Sequence, residues 1–339
     1  MNNMKQRRIV LASRPVGEPV ESDFRLETVE AGTPGNNEVL LKTKYFSLDP
    51  YMRGRMNDGP SYVPAIEVDA PMTGGAVCEV MESNADGYAP GDTVLSFTGW
   101  QEYAVAPVKG LRKLDPAVAP VSTALGVLGM PGMTAYAGLL NIGQPKAGET
   151  VVVGAASGAV GALVGQIAKI KGCRAVGIAG GPAKCAYVVE ELGFDACLDH
   201  RDGNLRAALK EACPSGIDVY FENIGGKVFE AVLPRMNNFG RIPLCGLIAQ
   251  YNMTELAPGP DRTASVMRAF LTKRLTVRGF IVGDFASQAG EFQREMAAWV
   301  REGRIRYRED VVDGLENAPA AFIGLLEGRN FGKLLVRLP

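Results

Sequence analysis

The stretch Thr150-Val-Val-Val-Gly154 runs directly into Ala155-Ala-Ser-Gly-Ala-Val-Gly161, and it limits the fold more tightly than any other part of the chain. A short apolar run, a glycine-bearing turn and a further apolar segment read as strand, turn and buried helix. Ala156, Gly158 and Gly161 fall on the three glycine positions of a dinucleotide-binding turn, with alanine at the first. Gly158 would let the backbone approach a pyrophosphate at the helix N-terminus. The competing reading is that these glycines only permit tight strand–helix packing.

From residue 150 onward, apolar strands alternate with amphipathic helices. The strands read as 150–154, 174–179, 196–199, 217–221, 241–247 and 275–282, and the helices as a segment from Gly158, then 183–192, 205–212 and 227–236. Such a βαβ series predicts an α/β chain with a Rossmann-type, doubly wound parallel sheet. Residues 7–115 have a different texture, with short strands at 7–12, 24–31, 38–46, 76–82, 92–97 and 101–106 separated by Gly, Pro and Asp turns. That half reads as a β-rich barrel or sandwich. A helix near 288–302, a strand near 305–308, a helix at 318–327 and a strand at 333–338 follow, and this tail is expected to return to the first domain. The implied division is 1–129, completed by 303–339, around a central domain of 130–302.

About 20 residues beyond Gly158, an NAD-type site would place a carboxylate on the ribose. Here the second strand ends in Ala179-Gly180-Gly181 with no acid, and Lys184 follows. That favours a 2′-phosphate and hence NADP, against the plain reading of Lys184 as a solvated helix residue.

Composition removes several other chemistries. His200 is the one histidine, and the cysteines at 78, 173, 185, 197, 213 and 245 form no CxxC pair, so neither a zinc site nor a disulfide framework is written here. Ser157, Asp195 and His200 occur in a triad order, but Ser157 lacks the GxSxG context. A net charge of -1 gives no electrostatic reason for a nucleic-acid or membrane partner. The apolar stretch 151–165 is too short to span a bilayer, and the residues behind Arg7-Arg8 are too few for an export signal. The expected location is the cytoplasm. Metal-free hydride chemistry would need a different proton donor, for which tyrosine is suited.

The chain resembles the zinc-independent medium-chain dehydrogenase/reductases, in the branch of prostaglandin, 2-alkenal and curcumin reductases. The resemblance rests on Asp49-Pro-Tyr-Met-Arg-Gly-Arg-Met56, Pro131-Gly-Met-Thr-Ala-Tyr136, Ala155-Ala-Ser-Gly-Ala-Val-Gly161, Glu222-Asn-Ile-Gly-Gly226, Gly240-Arg-Ile-Pro-Leu-Cys-Gly246, Gln250-Tyr-Asn252 and Asn330-Phe-Gly-Lys333. The tract 225–234, with 258–262, is most similar to the bacterial curcumin reductase type. The resemblance implies a GroES-like catalytic domain and a Rossmann domain that binds NADPH. It further implies that Gly158, Ala159, Val160 and Gly161 hold the pyrophosphate and that Lys184 meets the 2′-phosphate. Asn223, Cys245, Gly246, Tyr251, Phe280, Ile281, Val282 and Asn330 would line the nicotinamide and ribose. His200 stands where many members have a tyrosine near the adenosine phosphate. Where zinc-dependent relatives carry Gly-His-Glu, this chain reads Met72-Thr-Gly-Gly-Ala-Val-Cys78.

The expected reaction is NADPH-dependent reduction of the carbon-carbon double bond of α,β-unsaturated ketones or aldehydes, with hydride delivered to the β-carbon. Tyr251, at the C-terminal end of a buried strand, is the candidate acid for the developing enolate. Tyr51 is a second candidate, and Tyr62, in a Gly/Pro-flanked loop, a candidate substrate contact. Arg53 and Arg55 read as strand residues in surface ion pairs, and Cys245 as packing. A quinone reductase of the same fold and a non-catalytic NADPH sensor are the alternatives. A homodimer through the sheet edge near Phe280 is expected.

Overall fold

The computed structural model describes residues 4–255 and 259–339. Pro258, the first residue of the tract 258–262, lies outside them. In chain order the elements are β1 Lys5–Leu11, β2 Phe24–Glu30, β3 Glu38–Ser47, α1 Met52–Arg55, β4 Ala76–Ser83, β5 Thr93–Ser96, β6 Tyr103–Pro107, β7 Arg112–Lys113 and α2 Met130–Ala137. There follow β8 Thr150–Gly154, α3 Gly161–Ile170, β9 Arg174–Ala179, α4 Pro182–Glu190, β10 Ala196–Asp199, α5 Leu205–Ala212, β11 Ile217–Phe221, α6 Gly226–Val232 and β12 Met236–Leu244. The series ends with α7 Thr263–Lys273, β13 Thr276–Gly279, α8 Ala289–Arg301, β14 Glu309–Asp313, α9 Ala318–Leu326 and β15 Lys333–Arg337.

Two compact units result. One comprises residues 1–126, 309–330 and 334–339, and the other residues 127–308 and 331–333. In the first unit the antiparallel order β14-β15-β3-β4-β5-β7, with β6 on β3, joins the C-terminal strands to the N-terminal ones, while β1 and β2 pair separately. Its core is aromatic: Trp100 stacks on Phe24 at 5.8 Å and on Phe46 at 5.9 Å, and Phe322 of α9 meets Trp100 edge-on at 5.6 Å.

The second unit carries the parallel sheet β10-β9-β8-β11-β12-β13. All five residues of β8 are buried, as expected of a strand covered by helices on both faces. Between β8 and β11 the strand order reverses direction, and ligands of open α/β sheets bind in the crevice at such a switch point.

Several boundaries differ from the sequence expectation. Residues 305–308 are not a strand, because Ile305 donates its N–H to Trp299 O at 3.1 Å, closing α8, and Arg306 donates to Gln166 Oε1 at 2.7 Å. The last strand of the parallel sheet stops at Gly279 rather than reaching Val282. Phe280 turns inward against Phe221 and Phe285, and Val282 opens a short 3-10 turn. Strand β12 starts five residues earlier than expected, because Met236 already pairs with Ile217 of β11, with Asn237 Nδ2 donating to Asp218 Oδ1 at 2.7 Å beside it, and it ends at Leu244. The Arg53–Arg55 segment is helical rather than extended. Arg53 is buried and donates to Gly17 O at 2.7 Å and Asn57 Oδ1 at 2.6 Å.

Candidate functional site

The glycine turn is built by backbone constraint. Ala155 takes φ +51°, a left-handed conformation unusual for alanine, and reverses the chain straight after β8. A Cβ on Gly161 would meet Ala155 O at 2.3 Å and Gly154 O at 2.8 Å, so the first residue of α3 has to be glycine. Gly158 donates its N–H to Ala155 O at 2.9 Å, and Gly158, Ala159 and Val160 remain partly accessible ahead of the buried helix. This leaves backbone N–H groups at a helix N-terminus, a natural anion site.

A second loop lies beside that turn. Asn223 donates its Nδ2 to Gly154 O at 3.0 Å, linking the C-terminal ends of β8 and β11. Glu222, 1% exposed, organises the loop: its Oε1 accepts from the Tyr220 hydroxyl at 3.0 Å and from the N–H groups of Ile224 at 2.6 Å and Gly225 at 2.9 Å. Burial pushes the Glu222 carboxyl above its usual range against those hydrogen bonds. Its backbone oxygen accepts from Cys245 at 3.0 Å and Gly246 at 3.2 Å, so the segment after β12 is held on the same support. Burial, reinforced by the charge of Glu222, pushes the Cys245 thiol up to about 12, which fits packing and not nucleophilic chemistry.

Tyr251 caps the short turn Ile248–Gln250, and its phenol oxygen accepts from Leu247 N–H at 3.4 Å. A Cβ on Gly246 would stand 3.0 Å from that oxygen. Phe280 is an aromatic packing residue, Ile281 is exposed, and Val282 lies in the following turn.

Around the turn after β9, Gly180 is flanked by two side chains. A Cβ there would meet His200 Nε2 at 3.0 Å, Arg201 Nε at 3.1 Å and Arg201 Cζ at 3.2 Å. Burial chiefly, then Arg201, with Lys184 contributing further, holds the His200 imidazole below its ordinary pKa. Asp199 reaches the turn from β10, but its Oδ1 accepts from the N–H groups of Gly181 and Arg201, both at 2.9 Å.

The sequence reading did not single out Arg201, and it carried Phe331 and Gly332 only within the string Asn330-Phe-Gly-Lys333. Gly332, at φ +87°, donates to Ser157 O at 3.1 Å, and a Cβ on it would meet Arg308 O at 2.3 Å. Phe331 packs edge-on to Tyr187 at 4.8 Å, under the Arg308 guanidinium at 4.1 Å. The Asn330-Phe-Gly-Lys333 string was a signal for this contact, but the partner 175 positions earlier was not.

In the first unit, Tyr51 caps α1 and is partly buried. Burial, then the charge of Asp49, raises its phenol pKa above the ordinary range, so it stays protonated and able to donate. Tyr62 is 58% exposed and close enough to Tyr51 to influence it electrostatically. Arg55 donates to Thr73 Oγ1 at 2.6 Å and to Pro64 O at 3.2 Å. Asn330 is partly buried at the end of the 309–330 segment. Among the described residues, no group of three or more His, Cys, Asp or Glu is arranged to hold a metal ion, and no helix is long and apolar enough to cross a membrane.

Two family models match the chain, "N-terminal domain of oxidoreductase" over residues 7–114 and "Zinc-binding dehydrogenase" over 159–302. The chain is 56% identical to the NADPH-dependent curcumin reductase of Escherichia coli (strain K12), an alignment covering 100% of this chain and 99% of that one. The chain belongs to the medium-chain dehydrogenase/reductase family. Its branch holds the prostaglandin, 2-alkenal and curcumin reductases. The NADP(+)-dependent 2-alkenal reductase of Nicotiana tabacum is 42% identical, with 98% of this chain and 97% of that one covered. The crystal structure of CurA in complex with NADPH from Vibrio vulnificus superposes with a TM-score of 0.96 at 53% identity, covering 98% of this chain and 99% of that one.

Proposed function

We propose that this protein is an NADPH-dependent ene-reductase that saturates the carbon-carbon double bond of α,β-unsaturated ketones and aldehydes. The observation that carries the reading is the Asn223–Gly154 link at the switch point, beside a turn that only glycine at 161 can form. This arrangement fits a dinucleotide along the crevice, and full-length similarity to an NADPH-dependent curcumin reductase supports the substrate class. Gly158, Ala159, Val160 and Gly161 would hold the pyrophosphate, Lys184 and His200 the adenosine phosphate. Asn223, Cys245, Gly246, Phe280, Ile281, Val282 and Asn330 would border the nicotinamide and ribose.

NADPH supplies, when bound, a hydride for the substrate β-carbon. The residues of this chain orient the conjugated carbonyl and stabilise negative charge on its oxygen, for which Tyr251 is the proposed donor and Tyr51 the second candidate. Tyr62 would contact substrate. Six cysteines free of disulfides suit a reducing compartment, so we assign the enzyme to the cytoplasm. The exposed strand β13 and the neighbouring apolar Met267, Leu271 and Ile281 suit an isologous contact in a homodimer.

The test is NADPH consumption with enones, enals, a curcuminoid and a quinone, run beside NADH, with product masses. A gain of two hydrogens with the carbonyl intact is expected. Turnover of the quinone alone would replace this reading with a quinone reductase, and binding without any turnover would point to a sensor.

A further inference from the structure

His200 and Arg201 are set at the end of β10 by the register of β10 on β9, which pairs Asp199 with Ala179. Both side chains come over Gly180, where a Cβ would already be in contact with the imidazole and the guanidinium. Lys184, in the first turn of α4, adds a second positive group within electrostatic reach of the imidazole. The charged groups facing His200 are therefore Arg201 and Asp199 from its own loop and Lys184 from α4. Asp199 accepts two backbone N–H bonds in bracing the turn. Two permanent cations thus flank an imidazole that they disfavour protonating, and a dianion placed among them would reverse that balance.

We propose that Arg201 joins Lys184 in recognising the cofactor 2′-phosphate and that His200 completes the site as imidazolium, so that NADP binding takes up a proton and NAD binding does not. The proposal rests on the NADPH reading given above. The transferred species is one solvent proton: it leaves the buffer acid and bonds to an imidazole nitrogen, with no change of oxidation state. Above the second phosphate pKa of about 6, the ligand arrives as a dianion and does not itself need to lose a proton. Affinity for the 2′-phosphorylated form then falls as pH rises past neutrality, by up to about tenfold per pH unit where uptake is complete, while affinity for the unphosphorylated form stays level.

The experiment is titration calorimetry of the full chain with NADP+ and with NAD+, in two buffers of different ionisation enthalpy, between pH 6.5 and 8. Wild type, His200→Gln and Arg201→Gln are compared, with thermal unfolding of each as a check on folding. Wild type should take up a fraction of a proton with NADP+ and none with NAD+. His200→Gln should abolish the uptake and flatten the pH dependence. Arg201→Gln should weaken NADP+ by about 10- to 100-fold and leave NAD+ unchanged, in line with loss of a charge-assisted phosphate contact. Proton release, zero uptake by wild type, or equal uptake by His200→Gln overturns the proton-linked role. Equal weakening of both cofactors by Arg201→Gln overturns its role in specificity. If His200→Gln or Arg201→Gln does not fold, 2′-AMP against 5′-AMP on wild type decides the uptake in the same way. A wild type that binds NAD+ as well as NADP+ would instead sink the NADPH reading itself.

Discussion

Asn223 Nδ2 donates to the carbonyl oxygen of Gly154 at 3.0 Å, tying the loop that follows β11 to the last residue of β8. The bond fixes the glycine turn and the Glu222–Gly226 loop as one piece. Its strength is modest, about 1 kcal/mol for an ordinary hydrogen bond, but it joins two loops that meet at the switch point of the parallel sheet.

Gly161→Ala should be costly to both stability and cofactor binding. The added Cβ meets backbone atoms of Ala155 and Gly154, which cannot yield as a flexible side chain would. The expected loss is about 1–3 kcal/mol of stability, with NADPH binding weakened at least about tenfold. Denaturant unfolding and NADPH fluorescence titration measure the two effects, and a variant with native affinity would remove the steric account of the turn.

Glu222→Gln should change the pH dependence of stability rather than its value in acid. The folded carboxyl is raised above the model-compound value of 4.5, so its protonated form is favoured in the fold. That contribution is complete below the unfolded pKa and is lost as pH rises through the folded one. The amide leaves Oε1 accepting from Ile224 and Gly225 and puts NH2 where Oε2 has no hydrogen-bond partner. From about pH 4.5 upward, wild type should therefore lose stability relative to the variant, by up to about 1.4 kcal/mol per pH unit until the folded pKa is passed. Parallel stability-pH curves would contradict this.

Tyr251→Phe should lower enone turnover by about 10- to 1000-fold, the range for loss of one donor to a developing oxyanion. Quinone turnover, which needs no such donor, should persist. Equal rates for the variant and wild type on the enone would move the proton-donor assignment to Tyr51 or to solvent.

Phe322→Ala should destabilise the first unit by about 3–5 kcal/mol. The ring is fully buried against Trp100 and edge-on to Phe24 at 6.2 Å, so its loss opens a cavity among large aromatic neighbours. Urea unfolding followed by tryptophan fluorescence reads this directly, and a loss below about 1 kcal/mol would show that the core collapses around the gap.

Much of this molecule is legible one segment at a time. The run Thr150–Gly154, the glycines at 158 and 161 and the alternation of apolar strands with amphipathic helices announce a parallel sheet and the glycine turn that leads from its first strand into α3, because periodicity and glycine placement are local properties of the chain. Tertiary structure alone decided the rest. The left-handed residue of the turn is Ala155 and not a glycine, tolerated because the surrounding strand and helix fix it there. Residues 305–308 have strand-like sequence, yet their donors go to Trp299 and Gln166. Arg201 comes over Gly180, and Gly332 reaches Ser157, through contacts between residues far apart in the chain. Local pattern was enough to say which segments form strands around a glycine turn; packing settled which distant side chains come beside that turn, because burial and hydrogen-bond satisfaction arise only once those segments meet.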